Sequence, residues 1–499
     1  MIFIYPPSIF PDASRGFQVM RSMERGGGFN RLVSPNQYDI TKDTAKFLTW
    51  WSPGQYLVPY SIKSVPGFNT GQATAIAITL LELSGLMGLY LFFKKIGFTP
   101  IIAALSLIFI ACQQAFITPF VFYNGGEILL FGFEGWFLYG CVVIKKADWK
   151  LLLFVLLSGW IGFFCKSSFL WMYTAGMACL WLRLSSHENR ATLPRLLKNG
   201  IWIAVPAVVS LACIYIFFLS KGDNPAAAST GLNLSWQTFS FPVAAPLISG
   251  FSVDELMHGL LFPTFSPFLS PIHLIIILIL IALLSIIILA CIVYYVPKNN
   301  YRLFVLVFYA VSVLFFSTAY LRQLNISFEA RHFRILSLLI APGIIYLISK
   351  LKPAYWLIFG LLCGALAFTN YAFFLRGYRF NKNISARGSS GMAQEFISQP
   401  ALNEILKLDK QSYNAIFVFV TADLPLEIQH NRAITIDPPL PGAVIDYDDY
   451  IYNGHAGPLY IVLPQIDTSK AGMFMKFFPD YKGFTQQTLD KGYMLYSAK

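Results

Sequence analysis

Asp12, Glu127, Lys166 and Arg331 are ionisable residues placed at the ends of long apolar runs. Charge at membrane depth is costly, so each is a candidate for function by default. Their types suit recognition of a phosphate by cations and proton transfer by carboxylates. Lys166, in Phe164-Cys165-Lys166-Ser167, falls between two apolar runs. It suits a lipid phosphate or pyrophosphate; a lysine reaching back to the headgroups is the plainer reading. In Phe328-Glu329-Ala330-Arg331-His332-Phe333-Arg334, three basic-type side chains stand directly before another run. A guanidinium offers phosphate oxygens a planar fork of donors, and headgroup anchoring is again the plainer role. Glu127 follows Asn124-Gly125-Gly126, with Glu134 seven residues on, nearly two helical turns and so on one face. Glu127 fits a catalytic or metal-linked carboxylate, or an interface position; the deeper Glu134 fits structural pairing. Pro11-Asp12-Ala13-Ser14-Arg15-Gly16-Phe17 puts Asp12 and Arg15 just outside the membrane, where a lone Asp is usually only solvated. Trp50-Trp51-Ser52-Pro53-Gly54-Gln55-Tyr56 joins interfacial aromatics to a turn.

These residues need elements to hold them, and composition says of what kind. The chain has 499 residues, 56% hydrophobic and 12% charged. Soluble domains carry roughly 25% charged residues, so lipid is the main solvent here. The net charge of +12 sits between apolar runs, where basic residues set topology and meet anionic headgroups. That excludes a nucleic-acid surface. A helix needs about 20 apolar residues to cross the hydrocarbon core. The candidate spans are 70–93, 100–122, 126–144, 151–165, 169–183, 200–219, 273–296, 303–320, 335–349 and 355–375. The pair 151–165 and 169–183 is read as two helices, because a single one would leave Lys166-Ser167-Ser168 in mid-membrane. Lys94 and Lys95, then Lys145, Lys146 and Lys150, then Arg183, Arg190, Arg195 and Lys198, then Lys298 and Arg302, then Lys350 and Lys352 occupy alternate connections. The positive-inside rule makes that side cytoplasmic.

Three larger pieces then lie outside: 11–69, 220–272 and 378–499. The first holds helical stretches near 14–25 and 41–50, and the second short interfacial helices. The third opens with a Gly/Ser linker (385–391) and an amphipathic helical pattern over 393–408. Strand-like runs follow at 415–420, 433–436 and 459–463, with another near 492–496, which suits one small α/β domain. The expected division is a transmembrane domain over 1–377 and an extracytoplasmic α/β domain over 378–499. Residues 1–10 lack the charged start and cleavage site of a signal peptide. Ten helical residues rise only about 15 Å, so this segment reads as interfacial or, preferably, as the outer half of a first helix. All seven cysteines fall in apolar runs and the six histidines are scattered, so the sequence offers no disulfide framework and no metal-ligand spacing.

Together these pieces resemble the GT-C glycosyltransferases, polytopic enzymes that use polyprenyl-phosphate sugars at the outer face of the membrane. The likeness covers the whole chain as architecture and is specific only in short motifs. Asp12 in Phe10-Pro11-Asp12 stands where the family carries an essential acid after its first helix. The Trp51–Tyr56 stretch is similar to its Pro/Gly/Tyr element, and Glu127 to the second acid of the next outer loop. Lys166 is similar to a lysine that meets the donor phosphate, and Glu329-Ala330-Arg331-His332-Phe333 to an E-x-R-Y/H pattern before a late helix. Ala13 follows Asp12 where many members have a second acid, which leaves the sugar and any dependence on a divalent metal open. The resemblance implies a mannosyltransferase-like or aminoarabinose-transferase-like enzyme, inverting, that moves a sugar from a polyprenyl-phosphate lipid to a lipid, glycan or protein acceptor. It implies a multi-pass protein of the cell inner membrane with a periplasmic or extracellular tail. Asp12 and Glu127 are then the catalytic acids, Asp12 as general base and Glu127 positioning acceptor or sugar. Lys166 and Arg331 hold the phosphate, His332 and Arg15 join the substrate-binding set, and Trp50, Trp51 and Tyr56 offer a platform for a sugar ring. Two other readings are a transporter of lipid-linked sugars, marked by broken helices and inverted repeats, and an envelope-assembly scaffold that needs none of these side chains.

Overall fold

Prolines and glycines punctuate the apolar runs, and in the computed structural model the helices start and stop at them. Pro11 and Pro100 open their helices, where a missing backbone N–H goes unused. The structure describes residues 1–499 except 50, 66, 188–189, 223–228, 230, 253–270, 327, 396, 422, 437–449 and 491. The chain opens with β1 (Ser8–Ile9), α1 (Pro11–Glu24), β2 (Arg31–Pro35), β3 (Asp43–Phe47) and α2 (Gly54–Lys63). Then come α3 (Thr70–Ile96), α4 (Pro100–Ala111), α5 (Gln114–Ile117), β4 (Phe122–Tyr123), α6 (Gly126–Val143), α7 (Trp149–Cys165) and α8 (Phe169–Ser185). After β5 (Ser186–His187) and β6 (Arg190–Ala191) run α9 (Leu193–Phe217), α10 (Gln237–Gly250), α11 (Pro271–Tyr295) and α12 (Asn299–Leu321). The turn Ala330–Phe333 leads into α13 (Arg334–Ile348), and α14 (Pro353–Asn383) follows. The tail adds α15 (Gln399–Gln411), β7 (Ile416–Phe419), β8 (Arg432–Thr435), β9 (Leu459–Pro464), α16 (Ala471–Lys476), β10 (Thr485–Asp490) and β11 (Tyr493–Ala498).

All ten candidate spans hold helix, but among the described residues seven helices are long and apolar enough to cross a membrane, or eight counting one bent pair. The expected single span over 100–122 is that pair: α4 and the α5 segment meet at 73°. Gln113 lies in the break, its amide donating to Phe109 O at 3.0 Å, while Asn370 Nδ2 donates to Cys112 O at 2.5 Å and Gln114 N to Ser252 Oγ at 2.9 Å. Backbone freed at the break is thus met by side chains, as apolar surroundings require. The separation at Lys166 is as expected, with 17 residues in each of α7 and α8, about 25 Å of rise apiece.

Other expectations need correction. Residues 1–10 are not a half-helix. They form turns and β1, which pairs in parallel with β4, since Pro6-Pro7 cannot continue a helix. The stretch 41–50 holds β3, paired antiparallel with β2, rather than helix. Within 220–272, α10 is largely buried and packs on α11, α12 and α13, where interfacial helices were expected; 253–270 lie outside the described residues. The helix expected at 393–408 starts later, where the Ser398 hydroxyl accepts from Ala401 N. β10 was not expected at all: Thr-Gln-Gln-Thr-Leu-Asp is a polar, mostly exposed edge strand without apolar alternation.

The chain divides into two compact units. The first comprises Met1–Ile78, Phe120–Gly125 and Leu375–Lys499. Its centre is a mixed five-stranded sheet in the order β10-β11-β9-β7-β8, with β7 parallel to both neighbours. Alternation along β7 divides the core: Ile416 and Val418 face Phe474, Phe478 and Ile40, while Phe417 and Phe419 face Leu402 and Ile405 of α15. The segment before α3 docks on this sheet, with Ile40 N bonded to Asn453 O at 2.8 Å and Arg25 Nη2 to Ile428 O at 3.3 Å.

The second unit comprises Thr79–Pro119 and Gly126–Phe374. Glycines bring α3 and α6 together: a Cβ on Gly135 would stand 2.4 Å from Leu89 N, and one on Gly85 2.5 Å from the Phe131 ring. Such small-residue seams are what let helices approach in lipid, and Ser84 Oγ donates across this one to Gly132 O at 3.1 Å. Helix α8 packs on α12, and α13 on α4 and α10. The outer faces of α11 and α14 expose Ile279, Leu283, Leu357 and Leu361, as lipid contact demands. The basic connections share one end of the unit. Arg183 Nε donates to Cys141 O at 3.1 Å, Gly97 lies against Lys298, and Phe98 packs on Tyr301 and Tyr346. Glu127 and Lys166 stand at the other ends of α6 and α7.

Candidate active site

The site begins with a glycine. A Cβ on Gly126 would lie 3.0 Å from Cys165 O and 3.2 Å from Lys166 Cγ, so the start of α6 can approach the α7–α8 turn closely. Lys166 ends α7 in extended conformation (φ −160°, ψ 134°), its amide donating to Gly162 O at 2.9 Å. That geometry turns its side chain to Glu127, where Nζ lies 2.5 Å from Oε1. Arg331 Nη1 reaches the same oxygen at 3.1 Å, and its Nε pairs with Glu329. Glu127 is 8% exposed, Lys166 17% and Arg331 24%: shielded, yet open on the cationic side. Burial holds the Lys166 ammonium below the usual lysine range, with Glu127 opposing the shift.

Arg331 is held by aromatic packing around its turn. Phe333 packs on Phe316 with centroids 4.3 Å apart, and the His332 ring stacks on Phe316 at 5.9 Å. Phe328 stacks on Tyr320 at 4.1 Å. Stacked and tilted ring pairs of this kind fix geometry as well as bury area.

Glu127 also lines a cavity of about 30 Å³, together with Glu82, Gln113, Ser249 and Arg334 among others. The Arg334 guanidinium interacts electrostatically with Glu82, Glu127 and Glu134. Arg334 Nε, Glu82 Oε2 and Glu134 Oε2 are buried with no hydrogen-bond partner among the described residues. Four carboxylates and three cations therefore share the locality: Glu82, Glu127, Glu134 and Glu329 with Lys166, Arg331 and Arg334. Glu82 is absent from the sequence candidates. Its signal is a carboxylate at the thirteenth of the 27 residues of α3, where membrane depth alone marks it.

A wider apolar groove of about 490 Å³ runs along α12, lined by Phe239, Leu289, Leu306, Tyr309, Val313 and Leu314, and reaching Ser317. Ser317 adjoins Phe316, whose ring meets His332.

Of the sequence candidates, Glu127, Lys166, Arg331 and His332 gather in the second unit. Asp12, Arg15, Trp51 and Tyr56 belong to the first. Arg15 is half-buried on α1 and Trp51 half-buried before α2. Tyr56 is buried, its hydroxyl donating to Asn30 Oδ1 at 2.7 Å. Trp50 and the Asp12 side chain lie outside the described residues. Among the described residues no group of three His, Cys, Asp or Glu side chains is arranged to hold a metal ion. The Glu127 carboxylate already faces two cations, so no metal-assisted step is assigned to it.

Membrane helices, a broken span and a small mixed-sheet tail define the class: a polytopic α-helical membrane protein, whose fold is that of the crystal structures it resembles. The crystal structure of ArnT from Cupriavidus metallidurans in the apo state is similar at TM-score 0.53 and 13% identity, over 99% of this chain and 95% of that one. The same protein bound to undecaprenyl phosphate aligns at 0.52, with the same identity and coverage. An Archaeoglobus fulgidus oligosaccharyltransferase aligns at 0.44 and 12% identity, over 98% of this chain and 71% of that one, too weakly to bear on the fold. No family model and no curated protein sequence matches the chain.

Proposed function

We propose that the protein is a glycosyltransferase that takes a sugar from a polyprenyl-phosphate donor at the outer face of the inner membrane. The observation that carries this reading is the shared placement of Lys166 and Arg331 on Glu127, at the end of the second unit opposite the basic connections. Two shielded yet accessible cations match a phosphodiester, and the apolar groove along α12 suits an isoprenoid tail. The GT-C-like fold agrees, and the similar ArnT has been crystallised with undecaprenyl phosphate. In the reaction an acceptor oxygen bonds to the anomeric carbon as the carbon–oxygen bond to the phosphate breaks. The electron pair passes to the phosphate oxygen, and the developing charge is stabilised by Lys166 and Arg331. The acceptor proton goes to a carboxylate, for which Asp12 is our choice. Attack opposite the phosphate inverts the anomeric centre. With the basic connections cytoplasmic, the tail is periplasmic or extracellular.

The test is mass spectrometry of lipids and glycans from cells with and without the gene, paired with transfer from polyprenyl-phosphate sugars in nanodiscs. A glycosylated species lost with the gene and regained in vitro supports the enzyme. An unchanged profile and no transfer rule it out. The 73° break between α4 and α5 favours one second reading, a transporter of the same lipid, since broken helices line transport sites. That reading predicts donor translocation without any bond exchange.

A further inference from the structure

Glu127 pairs with two cations and shares a cavity lining with a third. Its Oε1 receives both Lys166 and Arg331, and Glu127 also lines the small cavity that Arg334 lines. Arg334 follows Arg331 by three residues, one turn on, so both guanidinium groups can serve the same carboxylate. Arg334 Nε is buried without a hydrogen-bond partner among the described residues. The cavity, about 30 Å³, can take a turning carboxylate or a water but no sugar.

Resting on the reading of a donor-phosphate site, we infer that Glu127 is a displaceable internal anion: it holds Lys166 and Arg331 together in the empty site and swings inward to Arg334 when a lipid phosphate takes its place. Without Glu127, Lys166 would lose its carboxylate beside a second cation and Arg331 would keep only Glu329, which is unfavourable for charges withdrawn from water. Glu127 offsets that charge until the ligand arrives, so it competes with the ligand. The exchange also fits the charge change of the reaction. The donor diester carries one negative charge, whereas the released phosphate monoester carries close to two. With Glu127 turned inward, Lys166 and the Nη1 donor of Arg331 face that product, while Glu329 stays on Arg331 Nε. The return of Glu127 then favours its departure. Arg334 is a positioning residue in this account, since it acts through Glu127.

The experiment measures undecaprenyl phosphate binding to the full chain in nanodiscs by native mass spectrometry. The variants are Glu127→Gln, Arg334→Gln and the two combined. Removing the competing anion should tighten binding by about tenfold, the scale of a close charge pair. Arg334→Gln should weaken binding when Glu127 is present and leave it unchanged once Glu127 has been replaced. A merely structural role for Arg334 would weaken both backgrounds alike. Equal or weaker binding in Glu127→Gln, or equal losses for Arg334→Gln in both backgrounds, overturns the inference while leaving the lipid-phosphate site standing. No binding by the unmutated chain removes the site itself. Should Glu127→Gln fail to assemble, Arg334→Lys against Arg334→Gln decides the matter: Lys restores affinity if charge receives Glu127, and equal losses overturn the inference.

Discussion

Gly126 and Lys166 touch so closely that a methyl group on Gly126 would come within 3.2 Å of Lys166 Cγ. The ion pair to Glu127 depends on this backbone approach, because Glu127 is the next residue along. Gly126→Ala should push the α7–α8 turn away, destabilise the fold by about 1 kcal/mol as modest overpacking does, and weaken lipid-phosphate binding several-fold. Thermal unfolding in detergent and a lipid titration check both. A variant with wild-type melting and affinity would show that the contact yields without consequence.

The Lys166–Glu127 pair makes its own prediction about stability. Breaking a buried pair from one side leaves a charge without its partner, worth about 3–5 kcal/mol when burial is complete. Lys166 retains some exposure and Glu127 keeps Arg331, so Lys166→Met should cost roughly 1–3 kcal/mol. Combining it with Glu127→Gln should cost less than the two single losses summed. Strictly additive losses would mean that the two residues are not coupled in the folded protein.

Residues with local consequences were the legible ones. Lys166 marks the α7–α8 turn because a lysine inside one long helix would sit in lipid. The short strand-like runs 415–420 and 459–463 give away the sheet of the tail. Where local signals compete, the sequence misleads. The segment Asp43–Phe47 becomes a strand because β2 is there to pair with it, and 100–122 breaks because Ser252 and Asn370, distant in sequence, satisfy the opened backbone. The sharing of Glu127 by Lys166 and Arg331, and the approach of Glu82 to Arg334, arise from four separate helices. No spacing within one segment encodes them.

The tail carries a pH signature. Burial pushes the Asp423 carboxyl up to about 6 from its ordinary 3.8, nearby Glu395 adds to the rise, and hydrogen bonds from its own backbone and Leu424 N oppose it. A raised value means that the fold prefers the protonated form. Its contribution is complete below pH 3.8 and is lost as pH climbs through about 6. Stability should therefore fall by roughly 1–3 kcal/mol from this residue between pH 4 and 7.5. Melting curves across that range should flatten in Asp423→Asn relative to the unmutated chain. Parallel curves would remove Asp423 as the source.

The last prediction separates enzyme from binder and concerns Asp12, on α1 of the first unit. If Asp12 takes the acceptor proton, Asp12→Asn keeps size and polarity while removing the proton acceptor. Transfer from a polyprenyl-phosphate sugar should then fall by about 100-fold or more, the usual scale of general-base catalysis, with donor binding nearly unchanged. Lys166→Ala should behave otherwise, since a cation on the phosphate acts in the ground state as well as the transition state. It should weaken donor binding and slow transfer together. Measured side by side in nanodiscs, the two variants should split: one loses rate alone, the other affinity and rate. Full activity in Asp12→Asn would take the base role from Asp12 and make Glu127 the next carboxylate to test. Donor binding without transfer in the unmutated protein, given a proven acceptor, would favour the transporter.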